Sequence, residues 1–285
     1  MSRALVVALL LWPSPAAARC PEKGETQADC PWAGIARGLA GAADVKAELR
    51  RRAPGVVRQL EHDAADAPLL ALWGRSLNHD ERAGGTIVEP AIVDALLALG
   101  SGPPRDGRVV HAGIEHTYGY LFSLLPTPFG WKRARWVGGE LEAGFGLPSG
   151  LLGPSPSQGT LLANVTVLAG RIAGIPVDGV AAAPAIRRLE LRRRFRIEES
   201  APGVVLRTDV VAFPKPGAKN SHLLVYSVAD ASGAARLITA FPIDDAFVER
   251  LADPAELGDD RPIAARYNAH VEGLGGARGR RAIVK

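Results

Sequence analysis

Hydrophobic positions in the first third of the chain recur at helical spacing. Val45 and Leu49 lie one turn apart on the same face of a predicted helix, which Pro54 ends. Another helix begins at Glu89–Pro90, buries a run of aliphatic residues and ends at a glycine. The predicted helices span residues 42–52, 54–64, 66–77 and 89–100. We therefore predict a helical N-terminal region over residues 19–100.

In the second half, the pattern changes to that of strands, with strict alternation over Ile186–Glu198, which is the period of a half-buried strand. Turn sequences separate the alternating runs, for example Ser200–Gly203 and Asp230–Gly233, and the second of these predicts a hairpin. The predicted strands span residues 186–198, 204–213, 221–229, 235–243 and 263–271. A short helix is predicted after Asp244 or Asp245. Helices followed by antiparallel strands predict an α+β fold, with a β-rich region over residues 108–285.

The stretch between these two patterns is less regular. A turn-rich joint at residues 101–107 leads into Arg108–Ser123, which we predict to be strand, and Trp131–Val137 is predicted to be another strand. Residues 147–159 are rich in Gly, Pro and Ser and predict a long loop. Residues 160–173 fit a buried strand and a helix equally well.

The first eighteen residues, MSRALVVALLLWPSPAAA, have the features of a secretory signal peptide. Arg3 precedes an apolar run from Ala4 to Trp12, and Ala16–Ala18 offers a cleavage site of small residues. The apolar run is too short to cross a bilayer, which takes about 20 residues. We therefore predict that residues 1–18 are a signal peptide. The mature chain is expected to be soluble, without a transmembrane segment, in the periplasm or outside the cell.

Cys20 and Cys30 are the two cysteines of the chain, and both lie near the predicted mature N-terminus. In an oxidising compartment, two neighbouring cysteines most simply form one disulfide. Closing so short a loop would contribute about 2–3 kcal/mol in the chain-entropy view. The alternative, a redox pair or a metal clip, lacks both the C-x-x-C spacing and a nearby histidine.

The segment Arg108–Trp136 concentrates side chains that can move protons. On a strand, His111 and Glu115 would face one side while His116 and Tyr118 face the other. Two imidazoles could take and give a proton near neutral pH, and a nearby Lys or Arg could stabilise developing negative charge. The predicted catalytic set is His116, His111, Glu115, Tyr118 and, from a later strand, His222; the candidate cations are Lys132, Arg133 and Arg135. The alternative is that these side chains only pack and hydrogen-bond at the edge of a core.

Other chemistries find less support in the residue spacing. The sequence from His111 to His116 is H-x-x-x-E-H, one residue longer than the H-x-x-E-H of inverted zinc peptidases. On a helix the two histidines would lie about 140° apart, so we predict no metal site. The chain has no G-x-S-x-G elbow for a nucleophilic serine and no dinucleotide fingerprint, so no cofactor is predicted.

Basic residues concentrate on one face of the predicted strand over residues 186–198. Alternate positions on a strand repeat about every 6.7 Å, a spacing that suits an anionic polymer or a lipid head group. The candidate anion-binding residues are Arg188, Arg192, Arg194 and Arg196. The alternative is a solvated outer face. The formal net charge of +4 is too modest to indicate a nucleic-acid binder by itself.

Two functional hypotheses follow from these observations. The first is an exported, metal-independent hydrolase that uses the His, Glu and Tyr side chains for acid–base chemistry on a polymeric or phosphate-bearing substrate. The second is a non-catalytic envelope protein that binds an anionic polymer or partner through the Arg-rich strand.

Overall fold

The computed structural model describes residues 25–128, 130–215, 220–230, 232–253, 268–271 and 279–284. Helices dominate its N-terminal part, and a five-stranded antiparallel sheet follows. This arrangement confirms the predicted α+β fold class.

The N-terminal helices begin where the sequence supplies a capping side chain or a proline. Asp44 accepts a hydrogen bond from the Ala47 N–H at 3.0 Å, and Asp66 accepts one from the Leu69 N–H at 2.9 Å. The helices of the described residues are α1 (Cys30–Ala40), α2 (Val45–Arg52), α3 (Pro54–Asp63), α4 (Ala67–Ala71), α5 (Pro90–Leu99), α6 (Ala112–Thr117), α7 (Glu140–Phe145), α8 (Leu161–Ala173), α9 (Pro184–Arg188) and α10 (Asp245–Ala252).

The strands of the described residues form three antiparallel sheets. They are β1 (Arg75–Leu77), β2 (Val109–His111), β3 (Pro126–Thr127), β4 (Gly130–Trp131), β5 (Arg193–Ala201), β6 (Val204–Ala212), β7 (His222–Asp230), β8 (Ala235–Ile243), β9 (Ala269–His270) and β10 (Arg280–Val284). The largest sheet has the order β10-β5-β6-β7-β8, and the second has β1 between β2 and β9. The helix predicted over residues 66–77 is therefore wrong beyond Ala71, because its last residues form β1.

The strand predicted over Arg108–Ser123 is wrong beyond His111. Helix α6 and a 3₁₀ helix, Gly119–Phe122, take its place. Every residue from Ala112 to Phe122 is buried, so no polar face reveals the helical period. The strand predicted over Trp131–Val137 is also wrong, because Lys132–Trp136 forms a second 3₁₀ helix.

Residues 160–173, which fit both a strand and a helix in the sequence, form helix α8. The Thr160 hydroxyl accepts a hydrogen bond from the Ala163 N–H at 3.1 Å, and Gly174 ends the helix with φ 71°. Except for Arg171, every residue of α8 is buried. The helix packs across β6, β7 and β8, which explains its lack of a polar face. Residues 147–159 form a loop, as predicted.

The predicted strand over residues 186–198 begins only at Arg193. Arg188 ends helix α9, and Arg192 lies in the connection to β5. The register explains this limit: Arg193 pairs with Val211 near the end of β6, so earlier residues have no neighbouring strand for their backbone groups. The predicted strands over residues 204–213, 221–229 and 235–243 match β6, β7 and β8 closely, and so does the predicted helix α10, whose Asp244 cap accepts from the Phe247 N–H at 2.8 Å. Strand β10 was not predicted. Of the strand predicted over residues 263–271, residues 263–267 lie outside the described ranges and Ala269–His270 form β9 in the second sheet.

The large sheet lies between two groups of buried side chains. On one face, side chains such as Val211, Leu223 and Val225 pack with α8 and the N-terminal helices. On the other face, side chains such as Phe195 and Leu224 pack against α10. The first group includes residues on both sides of the joint at residues 101–107.

Two predictions connected with export concern residues outside the described ranges. The signal peptide over residues 1–18 and Cys20 both lie there. Cys30 is buried, and the part of the chain that is described contains no free thiol. The Cys20–Cys30 disulfide stays a prediction. Across the described ranges, no helix combines the length and the apolar character that a bilayer crossing requires.

Candidate functional site

Helix α6 carries two adjacent candidate residues, Glu115 and His116, into the interior. The helix is packed tightly against Trp73: a Cβ on Gly113 would lie only 2.6 Å from the Trp73 Cγ. The Trp73 indole in turn donates a hydrogen bond to the Thr166 hydroxyl of α8 at 2.8 Å. These contacts fix α6 between the small sheet and α8.

The carboxylate of Glu115 connects β1 with the His116 ring. Its Oε2 accepts a short hydrogen bond from the Ser76 hydroxyl and lies 3.3 Å from His116 Nε2. Its Oε1 has no hydrogen-bond partner, and neither ring nitrogen of His116 forms a hydrogen bond. Because His116 is only 1% exposed, its ring nitrogens also lack bulk water. Buried polar atoms without partners are unusual and cost free energy, which makes this pair a candidate site.

The surroundings of His116 keep its imidazole neutral. Burial lowers its pKa, and the positive charges of Arg135 and Lys132 lower the pKa further, against the opposing attraction of Glu115. The ring lies beside Tyr120, with 4.7 Å between the two ring centroids. The Trp136 indole donates to the His116 carbonyl oxygen at 2.7 Å and fixes the backbone. A neutral imidazole can accept a proton.

Two cations of the second 3₁₀ helix approach this pair. Lys132 Nζ lies 2.9 Å from Asp80 Oδ2 and 5.2 Å from the centroid of the Tyr120 ring. Burial lowers the pKa of Lys132, and Arg135 adds to this, while Asp80 opposes it. The Arg135 guanidinium donates to the Thr239 hydroxyl of β8 at 3.3 Å. Both cations are half-buried, so solvent can reach them, in contrast to the buried Glu115–His116 pair.

Tyr120 completes the cluster from the first 3₁₀ helix. Burial raises the pKa of its phenol well above the usual value, with a smaller contribution from Glu115. Arg135 and a hydrogen bond with Asn268 act in the opposite direction. The phenol therefore stays protonated at neutral pH. We call Ser76, Glu115, His116, Tyr120, Lys132 and Arg135 the α6 cluster.

His111 lies in the same segment but is engaged in structural hydrogen bonds. Its Nδ1 accepts from the Ile114 N–H at 3.2 Å, as the cap of α6. Its Nε2 must then carry the proton, and it lies 3.0 Å from the Leu70 carbonyl oxygen. The predicted grouping of His111 with Glu115 on one strand face is therefore wrong.

Tyr118 also points away from His116, so their predicted pairing is wrong. Its hydroxyl donates to Asp63 Oδ2 at 2.6 Å, and the Thr160 hydroxyl donates to Asp63 Oδ1 at 2.6 Å. This buried group ties α3, α6 and α8 together. On a helix the residue two positions after His116 cannot share its face, which explains the separation.

His222 lies at a different place on the large sheet. It pairs with Ile243, four residues along β8 from Thr239, which corresponds to about 13 Å. Arg194 donates to its Nε2 at 2.6 Å, and its Nδ1 lies 2.7 Å from the Ser221 hydroxyl. The structure therefore does not bring His222 to the α6 cluster.

The four candidate arginines do not form one continuous face. Arg194 contacts His222, and Arg196 donates to Asp209 at 2.8 Å. Arg188 and Arg192 are exposed and have no ionic partner among the described residues. The predicted row of strand arginines is therefore wrong as a geometry.

Two members of the α6 cluster, Ser76 and Tyr120, were not among the predicted catalytic residues. Ser76 comes from β1, far away in the chain, and Tyr120 lies on an unpredicted helix. Lys132 and Arg135 were candidates because they are basic residues close to the histidines. Their neighbour Arg133 is instead fully buried, paired with Glu25 and 3.6 Å from Asp29. Among the residues that the structure describes, no group of three or more His, Cys, Asp or Glu side chains could hold a metal ion.

Comparisons of this chain with protein-family models, with curated proteins and with solved structures found no match.

Proposed function

We propose that the protein is an exported hydrolase that uses His116 as a general base on a phosphate-bearing substrate. The observation that carries the proposal is the buried Glu115–His116 pair, in which neither imidazole nitrogen forms a hydrogen bond. A residue that served only to support the fold would be expected to use its ring nitrogens, as His111 does.

The geometry suggests a division of roles within the pair. A carboxylate 3.3 Å from Nε2 favours the tautomer in which Nε2 carries the proton. The Nδ1 lone pair, which bulk water does not reach in this structure, would then take a proton from an attacking water that enters with the substrate. Glu115 would hold the ring orientation and stabilise the imidazolium that forms, and Ser76 would orient the Glu115 carboxylate.

The two cations of the α6 cluster support an anionic reacting group. As water attacks a phosphodiester, Lys132 and Arg135 would stabilise the negative charge on the phosphoryl oxygens. The oxygen–phosphorus bond to the leaving alcohol breaks, and the proton held by His116 passes to that alcohol. Water is the only co-reactant, and the imidazole returns to its neutral form.

Hydrolysis of bis(p-nitrophenyl) phosphate by the purified mature chain tests the proposal. We expect turnover that falls about 10²–10⁴-fold in His116→Gln, the range for loss of a general base. His62→Gln is the matched control, because that side chain is 67% exposed and lies outside the α6 cluster. Equal activity in His116→Gln and wild type would contradict the proposal, as would absence of turnover in the wild type across a panel of phosphodiesters.

Export is the second part of the proposal, and residues 1–18 motivate it. We expect protein recovered from outside the cytoplasm to begin near Arg19 when its N-terminus is sequenced. Full-length protein retained in the cytoplasm would contradict it.

A second candidate function is the binding of an anionic polymer, and the exposed Arg188 and Arg192 favour it. Their charges have no ionic partner among the described residues, and they lie close together in the chain. Reversing both charges should abolish retention on a heparin matrix at low salt. If retention does not fall as salt rises, charge does not mediate it.

A further inference from the structure

The Arg135 guanidinium lacks a carboxylate partner. Within the described ranges, no Asp or Glu oxygen lies within 4.0 Å of it, although Arg133 and Arg196, which are also withdrawn from solvent, both have carboxylate partners. Arg133 contacts Glu25 and Asp29, and Arg193 and Arg196 both contact Asp209. A guanidinium withdrawn from water normally has a counter-ion, because desolvation of its charge costs free energy.

Aromatic rings surround Arg135 and hold its orientation. Its Cζ lies 4.8 Å from the centroid of the Tyr120 ring, 5.2 Å from that of Phe241 and 5.9 Å from that of Trp136. Cation–π contacts of this kind offset part of the desolvation cost. A guanidinium that lies over ring faces keeps the N–H groups at its edge free for other partners.

Most of the hydrogen-bonding capacity of Arg135 is unused. A guanidinium has five N–H donors, and the one hydrogen bond found within the described ranges goes to Thr239 at 3.3 Å. The side chain is half-buried, so a ligand can reach it from solvent. An oxyanion with two oxygens in one plane fits such a fork of donors.

The charges of the α6 cluster limit the charge of that oxyanion. The Asp80 carboxylate, with Oδ2 2.9 Å from Lys132 Nζ, already offsets the positive charge of Lys132. Arg135 is therefore the one cation of this cluster without a close counter-charge, while Glu115 and Asp80 would repel a second negative charge on the ligand. A singly charged group fits this balance better than a doubly charged one.

We propose that Arg135 binds a singly charged oxyanion of the substrate, a phosphodiester or a carboxylate, beside His116. This inference deepens the proposed function, since it names the substrate class of the same site. Binding of the oxyanion requires no turnover, so the anion-binding inference and the proposed hydrolase function can fail separately.

Isothermal titration of the folded mature chain with dimethyl phosphate and with acetate, at constant ionic strength in chloride, tests the proposal. We expect saturable binding of at least one probe, and the tighter probe identifies the phosphodiester or the carboxylate as the natural group. Sulfate, which is doubly charged, should bind more weakly. Absence of saturable binding of both probes would overturn the proposal.

Variants of Arg135 assign the binding to this side chain. Arg135→Gln loses the charge and the fork of donors, so affinity should fall about 10–100-fold. Arg135→Lys keeps the charge but loses the fork of donors, so it should bind the probe with intermediate affinity. This variant also tests the assignment if Arg135→Gln does not fold. Arg51→Gln is the matched control, because the Arg51 side chain is 64% exposed and lies outside the α6 cluster. Unchanged affinity in the Arg135 variants would overturn the assignment.

The outcome separates this inference from the proposed function. Binding that Arg135→Gln abolishes, together with full activity in His116→Gln, leaves the anion site standing and removes the hydrolase. Loss of activity in His116→Gln without saturable binding of either probe leaves the hydrolase standing and removes the anion site.

Discussion

His111 and His116 differ in one respect that decides how each is interpreted. Both rings are buried in the same short segment, yet both nitrogens of His111 have hydrogen-bond partners and those of His116 have none. Burial lowers the pKa of both. A neutral imidazole with satisfied nitrogens stabilises the fold, whereas one with an unused lone pair can move a proton.

Asp63 provides a prediction about pH at the residue scale. Burial raises its pKa above the usual 3.8, against the hydrogen bonds from Thr160 and Tyr118. Because the folded-state pKa is the higher one, this carboxyl stabilises the fold at low pH, and its contribution is lost as pH rises through the folded pKa. Asp63→Asn, which does not ionise, should therefore become more stable relative to wild type as pH rises from about 4 to 7. Urea unfolding at several pH values measures the free energy of unfolding of both proteins, and a variant that loses stability relative to wild type as pH rises would contradict the prediction.

At the scale of elements, the second 3₁₀ helix presents its cations in opposite directions. Lys132 and Arg135 face the α6 cluster, while Arg133 between them is buried against Glu25, Asp29 and the Ser123 carbonyl oxygen. This ion cluster therefore anchors the element that carries the two site cations.

Removal of this anchor should destabilise the fold strongly. Arg133→Met leaves two buried carboxylates without their cation, so we expect the free energy of unfolding to fall by about 3–5 kcal/mol. Arg51→Met is the control, because the Arg51 side chain is 64% exposed and its ion pair with Glu48 lies at the surface. Urea unfolding compares the two variants, and a similar small loss in both would mean that the buried ion cluster is not an anchor.

The close contact between α6 and Trp73 yields another prediction. Gly113→Ala would place a methyl group 2.6 Å from the indole, so α6 must shift, at a cost of about 1–3 kcal/mol. Gly34→Ala, also within a helix, meets nothing within 4 Å and should be neutral or slightly stabilising. Thermal unfolding distinguishes them, and equal midpoints would show that the contact is easily relieved.

Elements with one buried and one polar face could be predicted from the sequence, and elements without such faces could not. Strand β5 alternates between buried and more exposed positions, the turn at Asp230–Gly233 marks the hairpin of β7 and β8, and Asp44, Asp66 and Asp244 cap helices near the expected positions. Helix α6 is buried on all sides, so its pattern contains no period. The predicted start of a strand at residue 186 was wrong, because pairing with β6 begins only at Arg193.

On the scale of the whole molecule, the α6 cluster is assembled from distant parts of the chain. Ser76 of β1, Glu115 of α6, Arg135 of the 3₁₀ helix and Thr239 of β8 meet through the packing of the small sheet and β8 around α6. The proximity of Glu115 and His116 follows from the sequence. The contributions of Ser76 and Thr239 depend on tertiary contacts that no local pattern encodes.

The distance across the large sheet leads to a prediction about His222. Its pairing partner Ile243 lies about 13 Å along β8 from Thr239, and the His222 side chain contacts Arg194 and Ser221 instead of the α6 cluster. His222→Gln should therefore keep wild-type hydrolysis of bis(p-nitrophenyl) phosphate within about twofold, which corresponds to a change in the barrier below about 0.5 kcal/mol. A loss comparable with that of His116→Gln would place His222 in the reaction and contradict the separation.

The most direct test of the account compares the thermal unfolding of His116→Ala with that of His111→Ala. Both variants remove a buried imidazole ring and leave a cavity, so the cost of the cavity is common to both. His111→Ala also leaves the Leu70 carbonyl oxygen and the Ile114 N–H without their partner. We predict that it loses about 1–3 kcal/mol more than His116→Ala. An equal or larger loss in His116→Ala would make His116 a packing residue and would contradict the central claim.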